Sequence, residues 1–108
     1  MARAVRAARL AISRRPFLPV QVEVSTLGDL RAAMEAGADA VLLDNLSPAR
    51  LPAFLAMAAG TIFVEVSGGI DRRNLEAYAR LRPDAVSMGA LTHTSRWVDL
   101  SLSLELMR

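Results

Sequence analysis

The stretch Ile62-Phe63-Val64-Glu65-Val66-Ser67-Gly68-Gly69-Ile70-Asp71 decides how the chain folds. It opens as a β-branched run of the kind that suits a pleated strand. Two glycines break that run, and Asp71 then caps a segment in which Leu75, Tyr78 and Ala79 recur at helical spacing. Strand, turn and helix in such quick succession make one β/α unit.

The same unit repeats weakly on either side. Strands are expected at 20–24, 40–43, 62–66 and 85–88, each rich in Val, Ile, Leu or Met. Thr26 caps a helix with Leu27, Leu30, Ala33 and Met34 on one face, and Gly37 suits its C-terminus. The next helix has two possible starts. Ser47-Pro48 is a good opening, but Pro52 would then sit inside the hydrogen-bonded ladder, so a start at Pro52 is the alternative. Leu51, Phe54, Leu55 and Ala58 trace its apolar face either way, and Gly60 ends it. Upstream, Ala4, Val5, Ala8, Ala11 and Ile12 make residues 2–13 an amphipathic barrel helix, with Arg3, Arg6, Arg9, Arg14 and Arg15 on its wet face. The same arginines and alanines resemble an organelle-targeting peptide, but the helical spacing of the apolar residues favours the barrel helix.

Strict alternation of strand and helix implies a parallel α/β sheet wound right-handedly, either an open sheet or a segment of a barrel. Length favours the segment. A complete eight-unit barrel takes about 250 residues, and a chain of 108 suffices for about four β/α units. The expected architecture is therefore a single partial domain over residues 1–108, the last half of a phosphate-binding (β/α) barrel.

Composition limits the function classes. Hydrophobic residues make up 53% of the chain, but no apolar stretch reaches the ~18 residues a membrane span needs. Without cysteine there is no disulfide framework and no thiol nucleophile, which fits a reducing, cytoplasmic setting. All thirteen basic residues are arginine and the net charge is only +2, so the pI near 10.4 reflects guanidinium chemistry and not a broad positive field. Nucleic acid is not an expected partner.

The chemistry falls at the C-terminal ends of the strands. Glu23, Asp44, Ser67 and Gly89 follow one another at intervals of roughly 22 residues, one polar or permissive residue per unit. That edge of a barrel carries active sites, because βα loops and helix N-termini converge there. In Val20-Gln21-Val22-Glu23-Val24 the valines share one face and Gln21 and Glu23 the other, and Val64-Glu65-Val66-Ser67 repeats the pattern. Carboxylates so placed are either paired with a barrel arginine or line an oxygen-rich pocket, and two such strands plus Asp44 favour the pocket. The amides of Ser67, Gly68 and Gly69 suit a phosphate, and a second such turn at Ser87-Met88-Gly89-Ala90 supplies the partner loop of a two-loop site. His93, the sole histidine, lies just beyond and is either a phosphate or acid/base group or a packing residue.

Taken together, Gln21-Val22-Glu23-Val24, Leu42-Leu43-Asp44-Asn45, Glu65-Val66-Ser67-Gly68-Gly69-Ile70 and Gly89-Ala90-Leu91-Thr92-His93 resemble quinolinate phosphoribosyltransferase. The tail Val98-Asp99-Leu100-Ser101-Leu102 is similar to that family's closing segment. The resemblance implies a carboxylating nicotinate-nucleotide diphosphorylase of de novo NAD biosynthesis, a pentosyltransferase joining quinolinate to phosphoribosyl diphosphate with release of diphosphate and CO2. It implies that Glu23 and Asp44 are the catalytic carboxylates that hold the ribose hydroxyls and Mg2+, and that Ser67, Gly68, Gly69, Gly89 and His93 surround the 5-phosphate. It also implies a homodimer or higher oligomer for the full-length family. The family usually has an acid where Gln21 and Ser25 stand and a small residue where Val66 stands, so an altered pocket is expected. Its basic substrate-gripping residues belong to segments upstream of those matched here, and this chain contains no lysine. The alternatives are a non-catalytic remnant with at most phosphate binding, and another phosphate-binding barrel of the thiamine phosphate synthase kind, which would not account for the 89–93 string.

A half-barrel leaves two open sheet edges and an uncovered apolar face. The isolated chain is therefore expected to self-associate in analytical sedimentation, and a sharp monomer that unfolds cooperatively would point instead to a self-sufficient small α/β domain.

Overall fold

Helix and strand alternate through residues 1–15 and 17–89, the part of the chain that the computed structural model describes. The order is α1 (Ala2–Ala11), β1 (Gln21–Val24), α2 (Leu27–Glu35), β2 (Ala40–Asp44), α3 (Leu51–Ala58), β3 (Phe63–Ser67), α4 (Leu75–Ala79) and β4 (Ala85–Val86). The strands form one parallel sheet in the order β1-β2-β3-β4, the order in which the chain makes them.

That order, together with the side on which the helices pack, separates barrel wall from open sheet. Val24, Val41, Leu43, Val64 and Val66 pack with Leu30 and Ala33 of α2, Leu51, Phe54 and Ala58 of α3, and Tyr78 of α4 in one buried cluster. All three helices therefore cover the same sheet face, whereas a doubly wound sheet has helices on both. The alternate residues Gln21, Glu23, Ala40, Leu42, Asp44, Phe63, Glu65 and Ser67 face the other way, as the two-residue period of a strand requires. Phe63, 48% exposed on that uncovered side, marks the inward surface of a barrel segment. Val66, where the family motif has a small residue, is fully buried among the helices, so this departure adds bulk to the core and not to the pocket.

Local signals explain most element boundaries. The Thr26 hydroxyl accepts from Asp29 N at 3.0 Å and starts α2, and Gly37 takes the left-handed conformation (φ 84°) after its end. The ambiguous helix begins at Leu51, which puts Pro52 in its first turn where no N–H is required. Asp71 does not cap α4 directly. Its carboxylate accepts from Arg73 N at 2.8 Å and organises the turn before the helix, whose N-cap position is Asn74.

Two aspartates fasten the strands at their N-terminal ends. Asp39 accepts from Val20 N through Oδ2 at 2.7 Å, and its own N–H donates to Val20 O at 2.9 Å. Asp84 repeats the arrangement with Val64, accepting from its N–H at 2.8 Å and donating to its carbonyl at 3.0 Å. In each case an Asp-Ala-Val sequence enters a strand and grips the start of the preceding one. Arg9 joins the first of these clasps by donating to Asp39 Oδ1 and, through Nε, to Gly37 O at 2.7 Å. The expectation that all α1 arginines lie on a wet face is thus corrected for Arg9, which anchors α1 to the αβ turn; Val5 is the buried apolar contact of that helix.

The Val20 N–H holds the Asp39 carboxyl below its ordinary value of 3.8; burial pushes the other way, and Arg9 adds to the lowering. A depressed carboxylate pKa stabilises the fold above that ordinary value, and the contribution is lost as pH falls through the folded value. Asp39→Ala is expected to cost about 1 kcal/mol at pH 7, after discount for partial exposure. Thermal melts should show the gap between wild type and variant closing as pH falls below about 4.

Candidate active site

At the C-terminal ends of β2 and β3 the sheet register pairs Asp44 with Ser67. The chain then turns sharply at both strands. Asn45 adopts a left-handed conformation (φ 54°), which asparagine tolerates, and donates its N–H to Ser67 O at 2.9 Å. Its side-chain amide donates to Asp44 Oδ2 at 3.2 Å and steadies that carboxylate. Opposite, Gly68 lies so close that a Cβ built on it would stand 2.6 Å from Asn45 N and 2.7 Å from both Asp44 Oδ1 and Asn45 Oδ1. With φ at 89°, Gly68 is needed for its conformation as well as for its lack of a side chain.

The turn beyond Gly68 is held from the helix side. Asn74 donates from Nδ2 to Gly69 O at 2.8 Å and accepts from Asp71 N at 2.8 Å. The N–H groups of Gly68, Gly69 and Ile70 take no partner among the described residues, so the turn can offer them to an anion. Asp71 does not oppose an anion with a free charge. Arg73 pairs with it through Nε at 3.0 Å and Nη2 at 2.6 Å and holds its carboxyl below the usual range.

Glu23 belongs to a lower layer than Asp44. It is in register with Leu42 and, across β2, with Glu65, whereas Asp44 is level with Ser67. The ladder spacing puts the Cα atoms of Glu23 and Asp44 about 8 Å apart, both on the open face. Neither Glu23 nor Glu65 pairs with an arginine among the described residues. Glu65 accepts instead from Gln21 Nε2 at 2.7 Å and from the Ser87 hydroxyl. These two bonds, Ser87's first, hold its carboxyl below the ordinary value in spite of some burial.

Glu23, Asp44 and Ser67 thus share one face of the sheet, with Glu23 one layer below the other two and the Gly68-Gly69 turn just beyond Ser67. Gly89 lies at the end of the described chain beyond β4, and His93 lies outside the described residues. Glu65, expected from its strand pattern to line the pocket with Glu23 and Asp44, is on the open face but is engaged by Gln21 and Ser87. Asn45, Asn74 and Ser87 complete the site's support, though their chemistry does not single them out in the sequence. The one local signal is an Asn after a strand-ending Asp, a pair prone to left-handed turns.

A family model described as quinolinate phosphoribosyl transferase, C-terminal domain, matches residues 1–103. The chain belongs to this family. Human nicotinate-nucleotide pyrophosphorylase (carboxylating) is 44% identical over 105 residues, covering 94% of this chain and 35% of the human protein. The probable enzyme of the same name from Methanocaldococcus jannaschii is 42% identical over 92 residues, covering 79% of this chain and 32% of the relative. The solved nicotinate-nucleotide pyrophosphorylase of Francisella tularensis superposes with a TM-score of 0.76 at 38% identity, over 84% of this chain and 31% of that one. The chain spans about a third of the length of these quinolinate phosphoribosyl transferase relatives.

Gly68→Ala is expected to destabilise the chain by on the order of 2–3 kcal/mol in urea unfolding, because left-handed strain adds to collision with backbone. Gly60→Ala is the control. Gly60 is also left-handed (φ 68°) but has nothing within 4 Å of its missing side chain, so only about 1 kcal/mol should be lost.

Proposed function

We propose that this chain forms the carboxylate and phosphate wall of a quinolinate phosphoribosyltransferase site, which makes nicotinate mononucleotide, diphosphate and CO2 from quinolinate and phosphoribosyl diphosphate in the cytoplasm. The observation that carries this reading is the meeting of Asp44 with the Ser67-Gly68-Gly69 turn. An acid that can accept from ribose hydroxyls stands directly beside unpaired amides suited to the 5-phosphate.

The chemistry follows from charge. As diphosphate departs from the ribose C1, the sugar becomes oxocarbenium-like, and fixed negative groups beneath it stabilise that state more than the ground state. Glu23 and Asp44 on the open face are the groups assigned to this role, with Ser67, Gly68, Gly69, Gly89 and His93 around the phosphate. The carboxylates also suit magnesium, which commonly takes one or two protein carboxylates together with substrate phosphates. Glu23 and Asp44 would hold the ion, which when bound offsets the leaving diphosphate's charge.

The open face is short of cations. None of its described strand residues is basic, and the sequence has no lysine. Quinolinate's two carboxylates and the diphosphate need paired cations to offset desolvation. The reading therefore assigns the quinolinate grip to protein outside this wall, in keeping with an oligomeric full-length enzyme. Among the described residues no helix is long and apolar enough to cross a membrane.

Ribose 5-phosphate titrated into the chain should shift the amides of residues 67–70 and 87–89, with a dissociation constant on the order of 1 mM. The 108-residue chain alone should form no nicotinate mononucleotide from quinolinate and phosphoribosyl diphosphate. Shifts confined to the arginines of α1 would mean simple charge attraction and would sink the site assignment. Turnover abolished by Asp44→Ala would show instead that the grip lies within these residues.

A further inference from the structure

Gln21, Glu65 and Ser87 form a polar tie across the open face that the proposed chemistry does not use. Gln21 stands on β1 and Glu65 on β3, with β2 between them. The strand residue in register with both Gln21 and Phe63 is Ala40, small enough for the Gln21 side chain to pass over it. The Gln21 amide donates to one oxygen of Glu65, and the Ser87 hydroxyl donates to the other. An acid at position 21, the residue the family motif suggests, could not donate in this way unless protonated. The tie runs diagonally across the sheet, Glu65 standing two residues further along than the level of Gln21 and Ser87 two further than Glu65, and it links both edges.

It matters most for β4, which is short. The ladder pairs only Ala85 and Val86 with β3. Beyond them Ser87 is held by its N–H, which donates to Val66 O at 2.8 Å, and by its hydroxyl on Glu65. Ser87 opens the 87–89 segment that forms the second wall of the candidate phosphate site. A two-residue strand cannot fix the direction in which the chain leaves it, because each residue leaves two soft backbone dihedrals free.

We infer that Glu65 is a positioning residue, which fixes the 87–89 segment opposite the Gly68-Gly69 turn by holding the Ser87 side chain while Gln21 holds Glu65 from the far edge. The inference deepens the phosphoribosyl reading and rests on it for the ligand. Glu65 acts through Ser87, not by touching the sugar phosphate.

The test compares Glu65→Ala, Glu65→Gln, Ser87→Ala and the Glu65→Ala/Ser87→Ala double variant in the full chain, by amide spectra with and without ribose 5-phosphate. Without ligand, Glu65→Ala should move the amide resonances of residues 87–89, and Glu65→Gln should restore them, since a serine hydroxyl can donate to or accept from a carboxamide. With ligand, Glu65→Ala and Ser87→Ala should each weaken binding about tenfold, and the double variant should be no weaker than either within about twofold. Additive losses would mean that Glu65 meets the ligand itself and would overturn the positioning role. Unmoved 87–89 amides in Glu65→Ala would overturn it whatever the affinities. If wild type ignores ribose 5-phosphate while Glu65→Ala still moves those amides and Glu65→Gln restores them, the tie stands and the phosphoribosyl reading falls.

Discussion

The approach of Gly68 to the Asp44-Asn45 peptide is the constraint on which the candidate site depends. Two parallel strands end side by side, and each must turn away into its helix without leaving its polar groups in collision. Glycine at 68 lets the β3 turn pass under the Asp44 carboxylate with no Cβ between them, and the left-handed Asn45 sends its N–H back to Ser67 O. From this contact come the position of the acid, the orientation of the Gly68-Gly69-Ile70 amides, and the exit of the loop that brings Leu46 under Tyr78. The Tyr78 hydroxyl donates to Leu46 O at 3.1 Å in a buried setting, so α4 is fastened to the β2 loop as well as to its own strand.

The opposite end of the sheet is built for stability. Asp39 and Asp84 each bind both backbone groups of a residue near the N-terminal end of a neighbouring strand, Val20 just before β1 and Val64 in β3, so the register is set before the strands reach the site. Barrel proteins divide labour in this way, with fastening at the N-terminal ends of strands and chemistry at the C-terminal ends. Arg9 extends the fastening to α1, a helix whose described residues give it only one fully buried apolar side chain.

Charge gives the open face its character. Glu23, Asp44 and Glu65 point to one side of the sheet with no basic strand residue among them, and Glu65 is kept ionised by its two donors. Such a surface suits the positive sugar of a transition state and is poorly suited to bind polyanionic substrates unaided. The chain belongs to the quinolinate phosphoribosyl transferase family and covers about a third of its relatives' length.

The sequence by itself determined the alternation of strand and helix, the location of the turns, and the family, because these depend on local periodicity, on glycines and on short strings of side chains. It also put Glu23, Asp44, Ser67, Gly68 and Gly69 at strand ends, since a two-residue period assigns each to a face. Several features were decided only by tertiary structure. The choice of barrel wall over open sheet needed the helices' common side. The layer that separates Glu23 from Asp44 needed the register, which equal spacing along the chain does not reveal. Asn45 beside Gly68, the departure of Arg9 from the wet face, and the Gln21-Glu65-Ser87 tie all join residues far apart in sequence or on different elements. Such contacts are invisible to local pattern because they exist only once parallel strands stand side by side, and hydrogen bonding then makes partners of residues that share nothing in the sequence except their level in the sheet.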